Sequence, residues 1–248
     1  LDPTGYLTND QNNESLTQEI RLSGSTDRIN WTLGGFWQES EEFWDFLTYV
    51  DDYSNSPAFE AWSYYYPGIA PTDAWWNSFQ ATDRTDKAVF GEMDVVLIED
   101  RLTAILGGRW YEVDRELSYT VERPDARVDQ QLPNRTASDD GFIPKYGLEL
   151  QVLEDVMVYG SYATGFHSGG FYGKNQRLVD YAITYDPEEI ESLELGAKME
   201  FLNNRVRLNV AAFSSNVEKL QAITTLPADD GTAVSVPFNV GEVEYQGF

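Results

Sequence analysis

Apolar and polar residues alternate with a period of two along much of this chain, in stretches of about ten residues, the pattern of a strand with one greasy and one wet face. From 191 to 201 the apolar set is Leu193, Leu195, Ala197, Met199 and Phe201, with Glu194, Gly196, Lys198 and Glu200 between them. The next segment sets Val206, Leu208, Val210 and Ala212 against Arg205, Arg207 and Asn209. An Asn203-Asn204 connection suited to positive φ joins the two into a hairpin. Three further hairpins turn at 24–27, at Glu99-Asp100 and at Glu154-Asp155. Leu102, Ala104, Leu106 and Trp110 alternate with Thr103, Gly107 and Arg109; Tyr146, Leu148, Leu150 and Val152 alternate with Lys145, Gly147, Glu149 and Gln151. Helical periodicity is hard to find, and the expected fold is all-β, an antiparallel sheet of about nine strands.

The connections alternate as well. Each tight turn is followed by a long polar or aromatic segment, at residues 39–86, 120–139, 168–187 and 221–234. Structureless loops beyond about 15 residues are uncommon in compact soluble domains, and here they fall at one end of every strand pair. A transmembrane β-barrel accounts for this, with short periplasmic turns, long extracellular loops, and strands that alternate lipid-facing apolar with lumen-facing polar residues. No run approaches the roughly 18 apolar residues of a membrane-spanning helix, so any membrane would be crossed by strands. Trp31 and Phe201 near the tight turns, and Trp37, Trp110 and Phe166 near the opposite ends, would form two interfacial girdles. A soluble β-sandwich whose aromatics fill a core has the same alternation and stays open as an alternative.

Composition removes several function classes. With 17 basic and 42 acidic residues the net charge is −25, a poor match for nucleic acid. The absence of cysteine excludes disulfide frameworks, thiolate metal sites and cysteine nucleophiles. There is one histidine and no G-x-S-x-G elbow, no acid spacing of the calcium-loop type, and nothing that marks one carboxylate pair among the many. The expectation is a protein that is not an enzyme, with no catalytic residues, no metal site and no cofactor.

Four segments then occur in a fixed order. The first is Ser15-Leu16-Thr17-Gln18-Glu19-Ile20-Arg21-Leu22-Ser23 followed by Trp31-Thr32-Leu33-Gly34-Gly35-Phe36. The second is Tyr159-Gly160-Ser161-Tyr162-Ala163-Thr164-Gly165-Phe166-His167-Ser168-Gly169-Gly170-Phe171. The third runs from Tyr185-Asp186-Pro187-Glu188-Glu189 through Leu193-Glu194-Leu195-Gly196-Ala197-Lys198 into the strand at 204–209; the fourth is Asn239-Val240-Gly241 with Tyr245-Gln246-Gly247-Phe248. In this order they resemble the barrel of TonB-dependent receptors over nearly the whole chain. The resemblance implies a bacterial outer-membrane location and TonB-dependent uptake of a scarce nutrient, a ferric siderophore or similar iron complex being the usual cargo. It also implies contact with outer-membrane lipid, and with the TonB complex through a plug domain. Such receptors combine a plug with a barrel of about 22 strands, so residues 1–248 are expected to be part of the barrel domain, with plug and terminal strands lying elsewhere. Two other readings stay beside this one: a soluble or surface-attached carbohydrate-binding β module, and a passive porin-like barrel.

The segment 39–86 is rich in rings: Phe43, Trp44, Phe46, Tyr49, Tyr53, Phe59, Trp62, Tyr64, Tyr65, Tyr66, Trp75, Trp76 and Phe79. Aromatic faces stack on catecholates or sugars and hold cations at about 1 kcal/mol per contact; equally, the rings can pack on one another into an ordered cap. Trp44, Tyr49, Trp62, Tyr64, Tyr65, Trp75 and Trp76 are the candidate ligand contacts. The acids Glu39, Glu41, Glu42, Asp45, Asp51 and Asp52 nearby disfavour a strongly anionic ligand. His167, in the glycine-rich loop entry, joins the loop candidates as a surface group and not as a metal ligand.

Overall fold

The computed structural model of the chain describes residues 5–65, 73–122, 129–131, 135–171, 184–203, 205–227 and 233–248; Tyr66 and Asn204 lie outside them. The elements are β1 (Gly5–Ser25), β2 (Ile29–Val50), a 3-10 turn (Tyr53–Asn55), α1 (Pro57–Tyr65), β3 (Ala74–Ile98), β4 (Leu102–Glu122), β5 (Asp129–Gln131), β6 (Arg135–Leu153) and β7 (Val156–His167). Then follow β8 (Gly170–Phe171), β9 (Thr184–Tyr185), β10 (Glu188–Phe201), β11 (Val206–Glu218), β12 (Gln221–Pro227), β13 (Ala233–Asn239) and β14 (Val243–Gly247). The main sheet runs β1-β2-β3-β4-β6-β7-β10-β11-β14 with β5 added to β4, and β12–β13 and β8–β9 form separate two-stranded ladders. Contacts divide the chain into one unit of residues 1–16, 38–85 and 114–136 and another of 17–37, 86–113 and 137–248.

The second unit contains the four tight turns. Thr26 closes the first, its N–H donating to Ile29 O at 2.8 Å while its hydroxyl accepts from Ile29 N at 3.1 Å. Asp100 turns the second in the left-handed region, which its short polar side chain tolerates. At the third, Gln151 Nε2 donates to the Leu153 and Glu154 carbonyls, beside a register shift between Gln151 and Leu153. At the fourth the left-handed residues are Leu202 and Asn203, one place earlier than the sequence suggested. The β10–β11 ladder starts at Phe201 opposite Val206, so the reversal must begin at the residue after Phe201. Three turns are also tied to the next strand along the sheet: Arg28 O accepts from Val96 N, Arg101 O from Gln151 N, and Asp155 O from Glu200 N, at 2.8 to 2.9 Å.

Neighbouring strands are keyed by rings lying over glycines. Trp31 covers Gly24, Phe90 covers Gly34, Phe142 covers Gly108, Tyr159 covers Gly196 and Phe213 covers Gly247; in each case a Cβ on the glycine would overlap the ring. A glycine in a strand leaves backbone bare, and a cross-strand ring that settles into the gap shields it and pins the register.

The two faces are inverted relative to a water-soluble sheet. Leu148 is 54% exposed, Leu195 61% and Ile20 73%, and Leu208 and Val210 are exposed too, whereas Glu149, Gln151 and Glu194 on the opposite face are half-buried. A sandwich would enclose the first set. Among the described residues the buried hydrophobics are few, and three of those in the second unit, Ala88, Tyr111 and Val113, form a small inner-face cluster on which Phe36, Ile143 and Phe166 pack. Phe166 is therefore not a lipid-interface girdle residue. Its ring stacks on Tyr111 with centroids 3.5 Å apart, where a ring face gains more contact than at the sheet's outer surface.

The apolar outer face has a definite length. It runs over residues 102–110 on β4, 142–152 on β6 and 193–201 on β10, matching the roughly 9–11 residues a tilted strand needs to cross hydrocarbon. Past that limit the same face turns polar, with Asp140 on β6, Glu191 on β10, and Lys87 on β3 paired to Glu112 on β4 at 2.7 Å. The strands nevertheless continue. β3 has 25 residues, and β2 runs to Val50, so the expected loop 39–86 contracts to 51–73. No helix among the described residues is long and apolar enough to cross a membrane.

In the first unit the shortened loop has its own local order. Ser56 caps α1: its hydroxyl accepts from Phe59 N at 3.1 Å, and Pro57 occupies the first helical position, where no N–H is needed. Tyr53 and Phe59, both buried, meet edge to face. The ends are stapled by Asp73, whose carboxylate accepts from Ser54 N at 2.9 Å and Ser54 Oγ at 2.7 Å while its carbonyl accepts from Val50 N at 3.0 Å. The Ser54 backbone N–H, followed by the Ser54 hydroxyl, holds the Asp73 carboxyl below its ordinary pKa.

Two outcomes follow from this architecture. Leu148→Arg, mid-way along the apolar face, should cost about 2–4 kcal/mol of bilayer-inserted stability while Glu149→Arg on the opposite face costs little, read by urea unfolding of vesicle-inserted protein. The Asp73 staple, with a depressed folded-state pKa, contributes stability that is complete above the ordinary carboxylate range and lost as the pH falls through the lowered value. Asp73→Asn should therefore speed hydrogen exchange at the Ser54 amide at neutral pH, and the difference from wild type should vanish in strong acid.

Candidate functional site

The sequence candidates fall on several elements. Trp44 and Tyr49 lie on β2, Trp62, Tyr64 and Tyr65 on α1, Trp75 and Trp76 on β3, and His167 ends β7. The side chains of Trp62, Tyr65, Trp75 and Trp76 are outside the described set. Trp44, Tyr49, Trp75 and Trp76 are thus strand residues rather than loop residues, because pairing continues where the apolar alternation has stopped. In the first unit Trp44 packs on Phe46 at 5.5 Å, Tyr49 stacks on Tyr6 at 5.2 Å, and Phe43 meets Phe79 edge to face at 4.7 Å. These rings brace the wall. Tyr64, 82% exposed, presents its ring to solvent.

In the second unit two of the long connections are clasped at their bases. Asn239 accepts from Asp186 N at 2.7 Å and donates to the carbonyls of Asp186 and Lys219 at 3.0 and 2.7 Å. Gln221 Nε2 donates to the carbonyls of His167, Ser168 and Asp186 at 3.0 to 3.2 Å, and Gln221 N donates to Glu188 Oε2 at 2.8 Å. The β12–β13 hairpin is thereby fixed to both ends of the connection between β7 and β10. His167 joins this clasp through its carbonyl, and its side chain is exposed.

A cluster that the sequence did not single out lies on the inner face of β1–β4 and β6. The turn hydrogen bond from Arg101 N to Ile98 O sets the β3–β4 register, and counting back from it puts Phe90 opposite Arg109 and Glu92 opposite Gly107. Arg109 Cζ lies 5.9 Å from the Phe90 centroid and 5.2 Å from that of Phe36, and Arg21 Cζ lies 5.7 Å from Phe90. Arg21 pairs with Glu19, and Lys145 Nζ reaches Glu92 Oε2 at 2.7 Å. Arg21, Phe90, Glu92, Arg109 and Lys145 border a groove of about 530 Å³, whose apolar wall includes Phe90 and Ile143. Its parity is opposite to that of the lipid-type residues Ile20, Leu33, Val89, Trp110 and Phe142, which places it on the wet face. Arg109 and Lys145 were visible in the sequence as wet-face charges; their partners on β2 and β3 emerge only once register is known.

Comparison with known proteins agrees with this architecture. A family model described as TonB dependent receptor-like, β-barrel, matches residues 2–248. A probable TonB-dependent siderophore receptor, PiuA of Acinetobacter baumannii, is 27% identical over 164 residues, 63% of this chain and 20% of that protein. The structure of the ferric yersiniabactin uptake receptor FyuA from Yersinia pestis superposes with a TM-score of 0.67 at 17% identity, covering 88% of this chain and 30% of that one. The copper transporter OprC does so with a TM-score of 0.66 at 12% identity, covering 97% and 35%. The chain thus spans a fifth to about a third of the length of these relatives. Residues 2–248 belong to the TonB-dependent receptor β-barrel family, as an outer-membrane segment of such a barrel.

Proposed function

We propose that the protein of which this chain forms part of the barrel wall takes up a scarce nutrient across the outer membrane, driven through TonB, and that its cargo is a ferric siderophore or a similar iron complex. The observation that carries the reading is the wall itself: strands with an apolar outer face of bilayer length and a charged and aromatic inner face, joined along the chain by tight turns that alternate with longer connections. One relative named as a ferric yersiniabactin uptake receptor and another named as a probable siderophore receptor favour an iron complex; the copper transporter of similar fold means that architecture alone does not dictate the metal. The segment's contribution is mechanical and recognitive. Its hydrogen-bonded strands form a stiff lumen wall, and the residue 51–73 loop with α1 and the clasped β12–β13 hairpin present the surfaces that meet the cargo. The partners are lipid along the outer face, the TonB complex and the cargo. Nothing in this role calls for bond-making chemistry.

Deleting the full-length gene should abolish growth on one iron complex as sole iron source, and growth should return with the wild-type gene only in cells with intact TonB. Unchanged growth on every iron complex tried would overturn the assignment. Within the receptor, Tyr64→Ala should weaken cargo binding about 5–10-fold, equivalent to about 1 kcal/mol for one lost aromatic contact, with the unfolding midpoint unchanged.

A further inference from the structure

In the second unit the β11–β14 and β12–β13 ladders are two lengths of a single two-stranded ribbon with a break between them. The first ladder ends with Val217 opposite Val243, and the other begins with Gln221 opposite Asn239 in unchanged register. At matching positions within the break, Lys219 has a φ of 52° and Gly241 a φ of 94°, one left-handed residue on each strand. A single such residue makes a bulge in one strand, whereas a facing pair lets both strands turn together without a change of register. A Cβ on Gly241 would meet no atom within 4 Å, so it is the backbone angle and not packing that calls for glycine there. Lys219 adopts the same region although it has a Cβ, which concentrates backbone strain at the bend. Backbone bonds from Leu220 N to Gly241 O at 3.0 Å and from Val240 N to Leu220 O at 2.8 Å carry the ribbon across.

Gln221 and Asn239 are the first facing pair beyond that bend. The Gln221 carboxamide donates to the carbonyls of Ser168 and Asp186, and that of Asn239 joins Asp186 to Lys219, the bend residue itself. Farther out, the pairing from Gln221–Asn239 to Pro227–Ala233 makes the ribbon a ladder complete in itself. Its ties to the β7–β10 connection are mostly exposed amide-to-carbonyl bonds, each weak because water offers the same partners. Lys219 adds exposed ion pairs to Asp186 at 3.9 Å and Glu189 at 3.7 Å, weak for the same reason. A stiff ladder, a strained bend and a set of replaceable ties are the parts of a pivot. We propose that the β12–β13 ribbon is a hinged arm: it swings as a rigid ladder about Lys219 and Gly241, and Gln221 and Asn239 latch it to the stems of the β7–β10 connection in the position seen here. Release frees the arm and the connection together, because the same two amides hold both. The device goes beyond the uptake reading and requires nothing of the cargo.

The test uses the purified full-length receptor in detergent micelles. Residues 1–248 contain no cysteine, so with any cysteines elsewhere changed to serine, nitroxides are placed at Thr225→Cys on the ribbon and Arg207→Cys on β11, and their separation is read by pulsed EPR. Residue-resolved hydrogen exchange is followed on the unlabelled proteins. Wild type should give one narrow distance peak. Gln221→Ala with Asn239→Ala should broaden that peak or add a second, and should speed exchange at the Asp186 amide about tenfold while the β12–β13 ladder amides keep wild-type protection. Gly241→Ala, with both latch residues intact, should speed the Asp186 amide about threefold, since alanine favours any arm position that spares it a left-handed φ. Gln221→Ala and Asn239→Ala taken singly should give the same signs at smaller size, which keeps the test decisive where the double variant does not fold. The proposal is overturned if the latch variants keep the wild-type peak and exchange, because another part of the polypeptide then holds the ribbon. It is equally overturned if the ladder amides speed up along with Asp186, because the ribbon then unravels instead of pivoting, or if Gly241→Ala exchanges as wild type does. TonB-dependent growth on an iron complex is scored separately, so loss of the uptake reading and loss of the arm are told apart.

Discussion

Hydrocarbon offers no partner for an amide N–H or a carbonyl, so a chain that crosses it as strands must satisfy every backbone group against a neighbouring strand. Much else in this protein follows from that demand. Pairing must be unbroken and in register, and the molecule secures register several times over: through hydrogen-bonded tight turns, through turn carbonyls that accept from the following strand, and through rings seated over glycines. Each of these ties is modest. Together they leave a strand little opportunity to slip by one residue, a slip that would turn its charged face toward lipid.

The same demand explains why the faces are so unequal. Outside, Leu148, Leu150 and Val152 or Leu193 and Leu195 meet a solvent as apolar as themselves, so packing there is unspecific and the residues are interchangeable greasy ones. Inside, groups such as Tyr159 and Glu194, joined by a 2.6 Å hydrogen bond, or Lys145 and Glu92, have to be matched individually. Specific chemistry therefore concentrates on the inner face and in the connections, where the Arg109 groove and the Gln221 and Asn239 clasp are found.

The sequence was most legible where hydrocarbon imposes its own rule. Alternation from Leu193 to Ala212 gave the β10–β11 hairpin and its faces, and in the structure Leu195 stands opposite Ala212 as that hairpin requires. Legibility failed where the outer face meets water. Residues 39–50 and 74–86 looked like loop because acids and rings displaced the alternation, yet pairing persists there, since nothing in water requires one face to be apolar. Phe166 was misplaced for a related reason: ring composition marks an interface only if the ring points outward, and this one turns to Tyr111. The Arg109 cluster was half legible. Its charges showed in the alternation, but a neighbour on another strand is invisible until the turn at Ile98 and Arg101 fixes which residues stand side by side.

The clasp at Gln221 and Asn239 grips main-chain carbonyls at 167, 168, 186 and 219 and the Asp186 N–H, with Glu188 the one partner side chain among the described residues. A grip on peptide oxygens is indifferent to which amino acid supplies them. Mutation can rewrite most of the flanking letters, and lengthen or shorten what lies between, without loosening the anchorage. A lineage under pressure to change diet, or to escape a phage or an antibody, could remodel those outer ribbons freely while two amides keep their roots in place.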